Sequence, residues 1–422
     1  MSMTQNQPTS GNFDELGIAP TILAILTQHK FLAPTPIQRQ AIPLAIEGKD
    51  VIGIAQTGTG KTLAFGVPML QRLGINGGQG LVLAPTRELA LQIHETLQKI
   101  GGSLGLKMAV LIGGVPPDRQ IRALRQGVHV IIATPGRLVD HLQQKIFNLN
   151  NVKVVVLDEA DRMFDIGFAP QIERILKMVP RVRQTMLFSA TMPGPIAHLA
   201  AQYMQLPLRI EVAPAGTAAA QVEQEVFIVS KEMKLSLLHK ILTETHGATL
   251  VFTRTKFAAK RVAATIRRMN QSAVEMHSNR SLAQRREALD GFKNGKYRIL
   301  VATDIAARGI DVTGIALVLN FDLPDDSGDY VHRIGRTGRA GRSGKAISFA
   351  TPDQRNDIRS IEKLLRKTLP IVALPVLPAA PPLAPAPPTN SFGPATQMGV
   401  SRPFRGPPRS GHSGQGGRRF HR

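Results

Sequence analysis

The stretch Val154-Val155-Val156-Leu157-Asp158-Glu159-Ala160-Asp161-Arg162-Met163-Phe164-Asp165-Ile166-Gly167-Phe168 decides how the rest of the chain is read. Four successive apolar residues, Val154 to Leu157, predict a short buried strand. Asp158, Glu159 and Asp161 then stand together at its carboxyl end. In an open α/β sheet that edge is where ligands bind. A carboxylate placed there can hold Mg²⁺, and its neighbour can orient or deprotonate a water. The plainer reading of the same residues is an acidic helix N-cap stabilised by the helix dipole.

Upstream lies a second stretch that answers the first: Ala55-Gln56-Thr57-Gly58-Thr59-Gly60-Lys61-Thr62. It follows a predicted strand, Val51–Ile54, and precedes a predicted helix. Gly58 and Gly60 let backbone N–H groups turn toward phosphate oxygens, with Thr59 between them. Lys61 is placed to reach the β/γ-phosphates, and Thr62 offers a hydroxyl to Mg²⁺. The strict pattern opens on glycine, where this chain has Ala55. The two stretches together predict an ATPase in which Lys61, Asp158 and Glu159 carry the chemistry and Thr62 and Asp158 hold the metal.

Composition bounds what the ATP serves. The chain has 422 residues, no Cys, a formal net charge of +22, and 43% hydrophobic residues. That length suits two to three domains with proper cores. The absence of Cys excludes disulfides and thiolate metal sites. The first ten residues are polar, and no apolar run approaches the ~18 residues of a membrane span, so a cytoplasmic protein is expected. The strong positive charge calls for a polyanion, most simply nucleic acid. Only 5% of residues are aromatic and none is Trp, so contact with phosphate and sugar is expected rather than stacking modules.

Strand and helix alternate from Val51 onward. Strands are expected at Val51–Ile54, Leu81–Ala84, Met108–Ile112, Val128–Ile132, Val154–Leu157 and Thr185–Phe188. The alternation predicts a parallel sheet with helices on both faces, and the phosphate turn after the first strand favours an open sheet over a barrel. Ala213–Ala220 is small and uncommitted, as in a linker. The alternation then restarts, with strands expected at Glu225–Val229, Thr249–Phe252, Ala273–Met276, Arg298–Val301, Ala316–Leu319 and Ala346–Phe349, and a last helix at about Asp353–Lys367. This half has no glycine-rich phosphate turn. The expected division is a disordered 1–12, a first domain 13–212, a linker 213–220, a second domain 221–370, and a disordered tail 371–422. The tail is Pro/Ala-rich, then Arg/Gly-rich, and reads either as a loose RNA tether or as a solubilising segment.

One more constellation lies in the second half. Tyr330-Val331-His332-Arg333-Ile334-Gly335-Arg336-Thr337-Gly338-Arg339-Ala340-Gly341-Arg342 is dense in Arg. On a helix, Arg336 and Arg339 would share a face and could clamp a γ-phosphate as arginine fingers. A nucleic-acid patch is the competing reading.

Taken in order, these residues resemble the DEAD-box RNA helicases. The resemblance covers roughly residues 13–350. It includes Pro34-Thr35-Pro36-Ile37-Gln38, Ala55–Thr62, Ala84-Pro85-Thr86-Arg87-Glu88-Leu89-Ala90, Gly113-Gly114, Thr134-Pro135-Gly136-Arg137, Asp158–Asp161 and Ser189-Ala190-Thr191. It continues through Val251–Thr255, Ala302–Asp311 and His332–Arg339. The compact core and basic tail look like the bacterial RhlE-like branch. The resemblance implies an α/β fold of two tandem RecA-like parallel-sheet domains, with ATP and Mg²⁺ as cofactors and RNA as partner. It implies ATP-driven local separation of short RNA duplexes or remodelling of RNA–protein complexes, with ribonucleoprotein or RNA-decay partners. Rival readings are an ATP-gated RNA clamp or annealing factor, and a DNA-directed helicase.

The resemblance also assigns residues. Gln38 reads the adenine edge, Phe13 packs on the base, and Asp311 holds the ribose. Ser189, Thr191 and His332 couple hydrolysis to strand separation. Thr86, Arg87, Gly114, Thr134 and Arg137 on the first domain face RNA, as do Thr253, Arg285, Thr303 and Arg308 on the second. Such hydroxyls, glycines and arginines suit phosphate and 2′-OH contact. The chain departs from the pattern at Lys30, where Gly is common, and at His277–Leu282, which lacks the usual Gly after His and the usual Gln at Leu282.

Overall fold

The computed structural model describes residues 12–56, 58–212, 222–307, 312, 314–338 and 344–378, with the Ile305 side chain excepted. The expected linker, the N-terminal segment, the tail from 379 on, Thr57, Arg308, Asp311 and Arg339 lie outside the described residues.

The first half forms β1 (Val51–Ile54), β2 (Gln79–Leu83), β3 (Met108–Leu111), β4 (Val130–Ala133), β5 (Val152–Asp158), β6 (Gln184–Ser189) and β7 (Leu208–Glu211). The second forms β8 (Val222–Ile228), β9 (Ala248–Phe252), β10 (Ala273–Met276), β11 (Ile299–Ala302), β12 (Ile315–Asn320), β13 (Gly344–Ala350) and β14 (Ile371–Val372). The first sheet runs β3-β4-β2-β5-β6-β1-β7 and the second β10-β11-β9-β12-β13-β8-β14. Counted from its own first strand, each sheet has the same order. The pairings are parallel throughout. The α/β expectation of two tandem RecA-like sheets therefore stands.

Period-two alternation builds the layers. On β5, Val154 and Val156 enter one apolar cluster while Val155 and Leu157 enter the cluster on the opposite face. On β11, Leu300 and Ala302 divide from Ile299 and Val301 in the same way. Both faces are covered, so these strands read as continuous apolar runs. The edge strands β7 and β14 are absent from the sequence reading. Only Ile210 of β7 is buried, and β14 is two residues long and not buried, so neither carries an apolar run. The tail boundary is corrected by β14: Ile371 and Val372 pair with Val226 and Phe227 and belong to the second sheet. Among the described residues no helix is long and apolar enough to cross a membrane.

The first long helix shows why glycine suits the position of Lys30. The helix Pro20–Gln28 ends with Phe31 N–H donating to Leu26 O and Lys30 N–H donating to Thr27 O, each at 2.9 Å. This is a Schellman ending, which puts its C′ residue in the left-handed region. Lys30 occupies that place with φ 61°, at a cost that glycine would not bear. Lys30→Gly should raise stability by about 0.5–1 kcal/mol, measured by urea unfolding. A lower midpoint would refute this reading of the turn.

Candidate nucleotide and RNA sites

The phosphate turn leaves β1 at its carboxyl end and enters the helix Lys61–Asn76. Gly58 and Gly60 take φ of 86° and 88°, so the turn needs residues without Cβ at these two places. Lys61 is buried, and its Nζ donates to Ala55 O at 2.9 Å, folding the ammonium back over the turn. Thr59 Oγ1 donates to Gln56 O at 2.7 Å, and Thr62 is half-buried on the first turn of the helix. Gln38, the third residue of the helix Pro36–Ile46, accepts Thr35 N–H on Oε1 and donates from Nε2 to Gly60 O, both at 2.9 Å. One amide hydrogen and one lone pair remain for a base. Phe13 is buried in the first core. Gln71 ties that segment down by accepting Ala19 N–H and donating to Gly17 O, a role no sequence signal marked.

Next to the turn, β5 delivers its carboxylates. Asp158 is buried at the strand end, and its Oδ1 accepts Glu159 N–H at 3.0 Å. Glu159 has φ 51° and starts the helix Ala160–Asp165. Asp161, which the sequence reading gave no role, is the best connected of the three. Its Oδ2 accepts Ala190 N–H at 3.1 Å, Thr191 N–H at 2.9 Å and the Thr191 hydroxyl at 3.0 Å. Its Oδ1 accepts Arg162 N–H, and its own N–H donates to Ser189 Oγ at 3.1 Å. His332, from the second half, brings Nε2 to 3.8 Å from Asp161 Oδ2. Burial works to raise the Asp161 pKa, but His332, Lys61 and the two hydroxyls outweigh it and hold the carboxyl below the usual range.

The helix holding His332 runs Ser327–Ile334 and stops before Arg336. Gly335 caps it and Gly338 takes φ 67°. The helical premise for Arg336 and Arg339 is therefore corrected: Arg336 sits in a turn, where the glycines end the helix. It is buried, with Nε donating to His332 O at 3.2 Å. A Cβ on Gly335 would stand 3.6 Å from Gln56 Oε1 of the phosphate turn, so this loop faces the first half. Arg333 is wholly structural. Its fork holds Asp304 at 2.6 and 2.7 Å, while its remaining nitrogen donates to Asn320 Oδ1 and Asp322 O.

The positions that resemble RNA contacts gather at the carboxyl edge of β3-β4-β2 and of β10-β11-β9. Thr86 caps the helix Arg87–Gly101 by accepting Leu89 N–H at 3.2 Å, and Thr134 precedes the helix Pro135–Gln143. Arg137 donates to Val115 O at 3.2 Å. Gly114 takes φ 73°, and a side chain there would overlap the Arg87 guanidinium. Burial, then the charge of Arg285, lowers the Arg87 pKa. Thr253 is buried, with its hydroxyl 3.4 Å from Thr255 O, and Thr303 starts the turn into Asp304–Ala307. Arg285 departs from expectation. It is buried and pairs at 3.0 Å with Glu88 of the first half, so its charge is engaged between the halves. Leu282, one turn earlier on the same helix, packs against the first half's core. The residue that replaces the usual Gln has thus become an apolar contact.

The sequence comparisons agree with this arrangement. The description "DEAD/DEAH box helicase" matches residues 35–199, and "Helicase conserved C-terminal domain" matches residues 233–341. The chain is 46% identical over 363 residues to the ATP-dependent rRNA helicase RRP3 of Debaryomyces hansenii, covering 85% of this chain and 76% of that protein. It is 42% identical over 368 residues to the DEAD-box ATP-dependent RNA helicase CshA of Geobacillus kaustophilus, covering 86% and 79%. Among solved structures, S. cerevisiae Dbp5 bound to RNA and ADP BeF3 matches with a TM-score of 0.77 at 32% identity, covering 85% of this chain and 95% of that one.

Burial pushes the Asp158 carboxyl up to about 7, only partly offset by Lys61. With the folded value above the unfolded 3.8, the folded chain holds a proton that the unfolded chain releases. Stability then falls as pH rises through this window, and the full penalty applies above it. Asp158→Asn, which mimics the protonated form, should raise the melting temperature of nucleotide-free protein at pH 8 and leave it unchanged near pH 4. An equal shift at both pH values would reject the assignment.

Proposed function

The chain belongs to the DEAD-box RNA helicases, and from that premise we propose how its residues divide the work of an ATP-dependent RNA helicase. ATP enters at the carboxyl edge of β1, β5 and β6. Gln38 reads the adenine edge, and Phe13 supports the base from within its packed segment. The glycine turn, Thr59 and Lys61 hold the β/γ-phosphates. Lys61 would leave the Ala55 carbonyl for a phosphate oxygen, exchanging a neutral acceptor for an anionic one. Arg336 stabilises the charge that develops on the transferring phosphoryl group. Arg339 and Asp311 extend the same reading beyond the described residues, to a second finger and the ribose.

Thr62 and Asp158 suit Mg²⁺, because both offer hard oxygen donors and a carboxylate raised by burial is short of positive charge. Bound there, the cation would neutralise developing negative charge on the phosphates. Glu159 positions and deprotonates the attacking water.

RNA lies along the other half of each carboxyl edge. Thr86, Arg87, Gly114, Thr134 and Arg137 meet its backbone on the first lobe, and Thr253, Thr303 and Arg308 on the second. Arg285 joins them only when it leaves Glu88. With ATP and RNA both spanning the lobes, each favours the closed form, and the coupling is reciprocal. Local separation of short duplexes, or remodelling of RNA–protein complexes, is the outcome. Membership of the RhlE-like branch, lobe limits near 13–212 and 221–370, further ribonucleoprotein partners and a cytoplasmic location are the same reading carried further.

One observation supports the coupling most directly. The Asp161 carboxylate receives Thr191 from beside the nucleotide edge and faces His332 from the second lobe. Glu159→Gln should retain ATP binding and lower RNA-stimulated turnover at least about 100-fold, read by nucleotide binding and phosphate release. Normal hydrolysis would remove Glu159 from its role. Lys61→Ala should weaken ATP binding itself and abolish turnover. Retained turnover would reject the phosphate cradle.

A further inference from the structure

We propose that Phe257 is a base-stacking contact for single-stranded RNA, lying just outside the backbone-contacting positions of the second lobe. The inference rests on the RNA reading above and adds a residue to it. Phe257 is 64% exposed on the first turn of the helix Lys256–Arg268, directly after β9. Among the described residues it is the one aromatic side chain left exposed. Aromatics are scarce in this chain, and the others described are packed wholly or in part, so exposure here is not a by-product of abundance.

Its surroundings favour an anionic polymer with flat bases. Lys256 and Lys260 lie beside Phe257 in the same short segment, with no acid in sequence between Arg254 and Arg261. Phe257 and Arg261 share one helix face at i, i+4 spacing, and Arg261 is exposed. Lys256 Nζ lies 5.3 Å from the Phe257 ring centroid and donates to Asn279 Oδ1 at 3.1 Å. Asn279 follows β10. Strands β10, β11 and β9 are neighbours, so their carboxyl-end loops adjoin. Thr253 and Thr303 stand on those same loops, with Thr253 N–H donating to Ala302 O at 3.0 Å.

Charge also sets the direction of the strand. On its far side Arg254 pairs with Asp325 at 3.1 Å, and Asp353 and Asp357 line a cavity of about 950 Å³ with Arg254 and Arg261. Those carboxylates repel phosphate. The path left open runs from Thr303 and Thr253 past Asn279 and Lys256, with one ring face of Phe257 offered to a base. Stacking of this kind is sequence-tolerant, so it adds affinity without base specificity.

The chain has no Trp, so Phe257→Trp is a single fluorescent reporter in the full-length protein. Its emission should be quenched saturably by a single-stranded RNA oligonucleotide, and not by an abasic ribose-phosphate strand of equal length. Phe257→Ala should raise the RNA concentration for half-maximal ATPase stimulation about tenfold, which corresponds to ~1.4 kcal/mol. Turnover at saturating RNA should change less than twofold, and Phe257→Trp should restore the half-maximal concentration. If RNA stimulates the wild type but the Ala variant keeps its half-maximal concentration, or the Trp reporter stays unquenched, the stacking role is wrong and the helicase reading stands. If quenching is the same with the abasic strand, the contact is to backbone and the proposal also fails. If RNA neither binds nor stimulates the wild type, the RNA reading itself falls.

Discussion

A buried carboxylate must be neutralised where it stands, and the site is arranged around that demand at Asp161. An isolated charge at such depth costs several kcal/mol. Here the cost is offset by donors from two directions, the start of its own helix and the Ser189–Thr191 turn after β6, and by the nearby His332 imidazole of the second lobe. The Ser189–Thr191 turn cannot move without disturbing that balance, nor can the helix carrying His332. Asp158 and Glu159 precede Asp161 directly, so whatever binds them presses on the same balance. A small displacement at the nucleotide edge therefore has a physical route to the second lobe.

The duplicated topology shows how differently the two lobes use one equivalent place. Lys61 opens the helix after β1, the first strand of its sheet. Lys234 opens the helix after β8, the first strand of the other. Asp158 closes β5, and Asp322 lies just past β12, the equivalent strand. In the first lobe the lysine folds onto a carbonyl of its own turn, from which a phosphate can take it. In the second, Lys234 Nζ donates to Asp322 Oδ1 at 2.9 Å and to Phe321 O at 2.7 Å. Its charge is neutralised inside the protein. The same Asp322 accepts Arg254 N–H and, through its carbonyl, Arg333. The place proposed for the phosphates in one copy braces the arginine-bearing helix in the other.

The sequence made the sheets legible because central parallel strands are apolar on both faces and need no partner to be recognised. Edge strands β7 and β14 lack that property. The phosphate turn and the adjacent Asp158–Glu159 pair were legible because their spacing is imposed by local backbone geometry. Asp161 carried no comparable signal, since its partners lie about thirty residues downstream at Thr191 and far beyond at His332. Arg333 and Arg336 stand three residues apart in one basic run, yet the first is consumed by Asp304 while the second lies in the turn next to Gly335, which approaches Gln56 of the first lobe. Pattern alone cannot separate them, because the difference lies in what β11 and β12 bring alongside. Lys30 shows the converse case: the preference for glycine there comes from the helix ending, which puts the residue at φ 61°.

The lobes are pinned at two places, His332 to Asp161 on the proposed nucleotide side and Arg285 to Glu88 on the proposed RNA side. Neither pin needs to favour closure by much. The Arg285–Glu88 pair gains Coulomb energy and loses hydration in nearly equal measure. The expensive state is the intermediate one, with a single partner still buried. This penalises partial separation and leaves the open and closed forms close in energy. Such a balance is one that a triphosphate and a polyanion, each spanning both lobes, are able to tip. Leu282 adds an apolar contact to the RNA-side pin where a Gln is usual, which weights the balance toward closure in this chain.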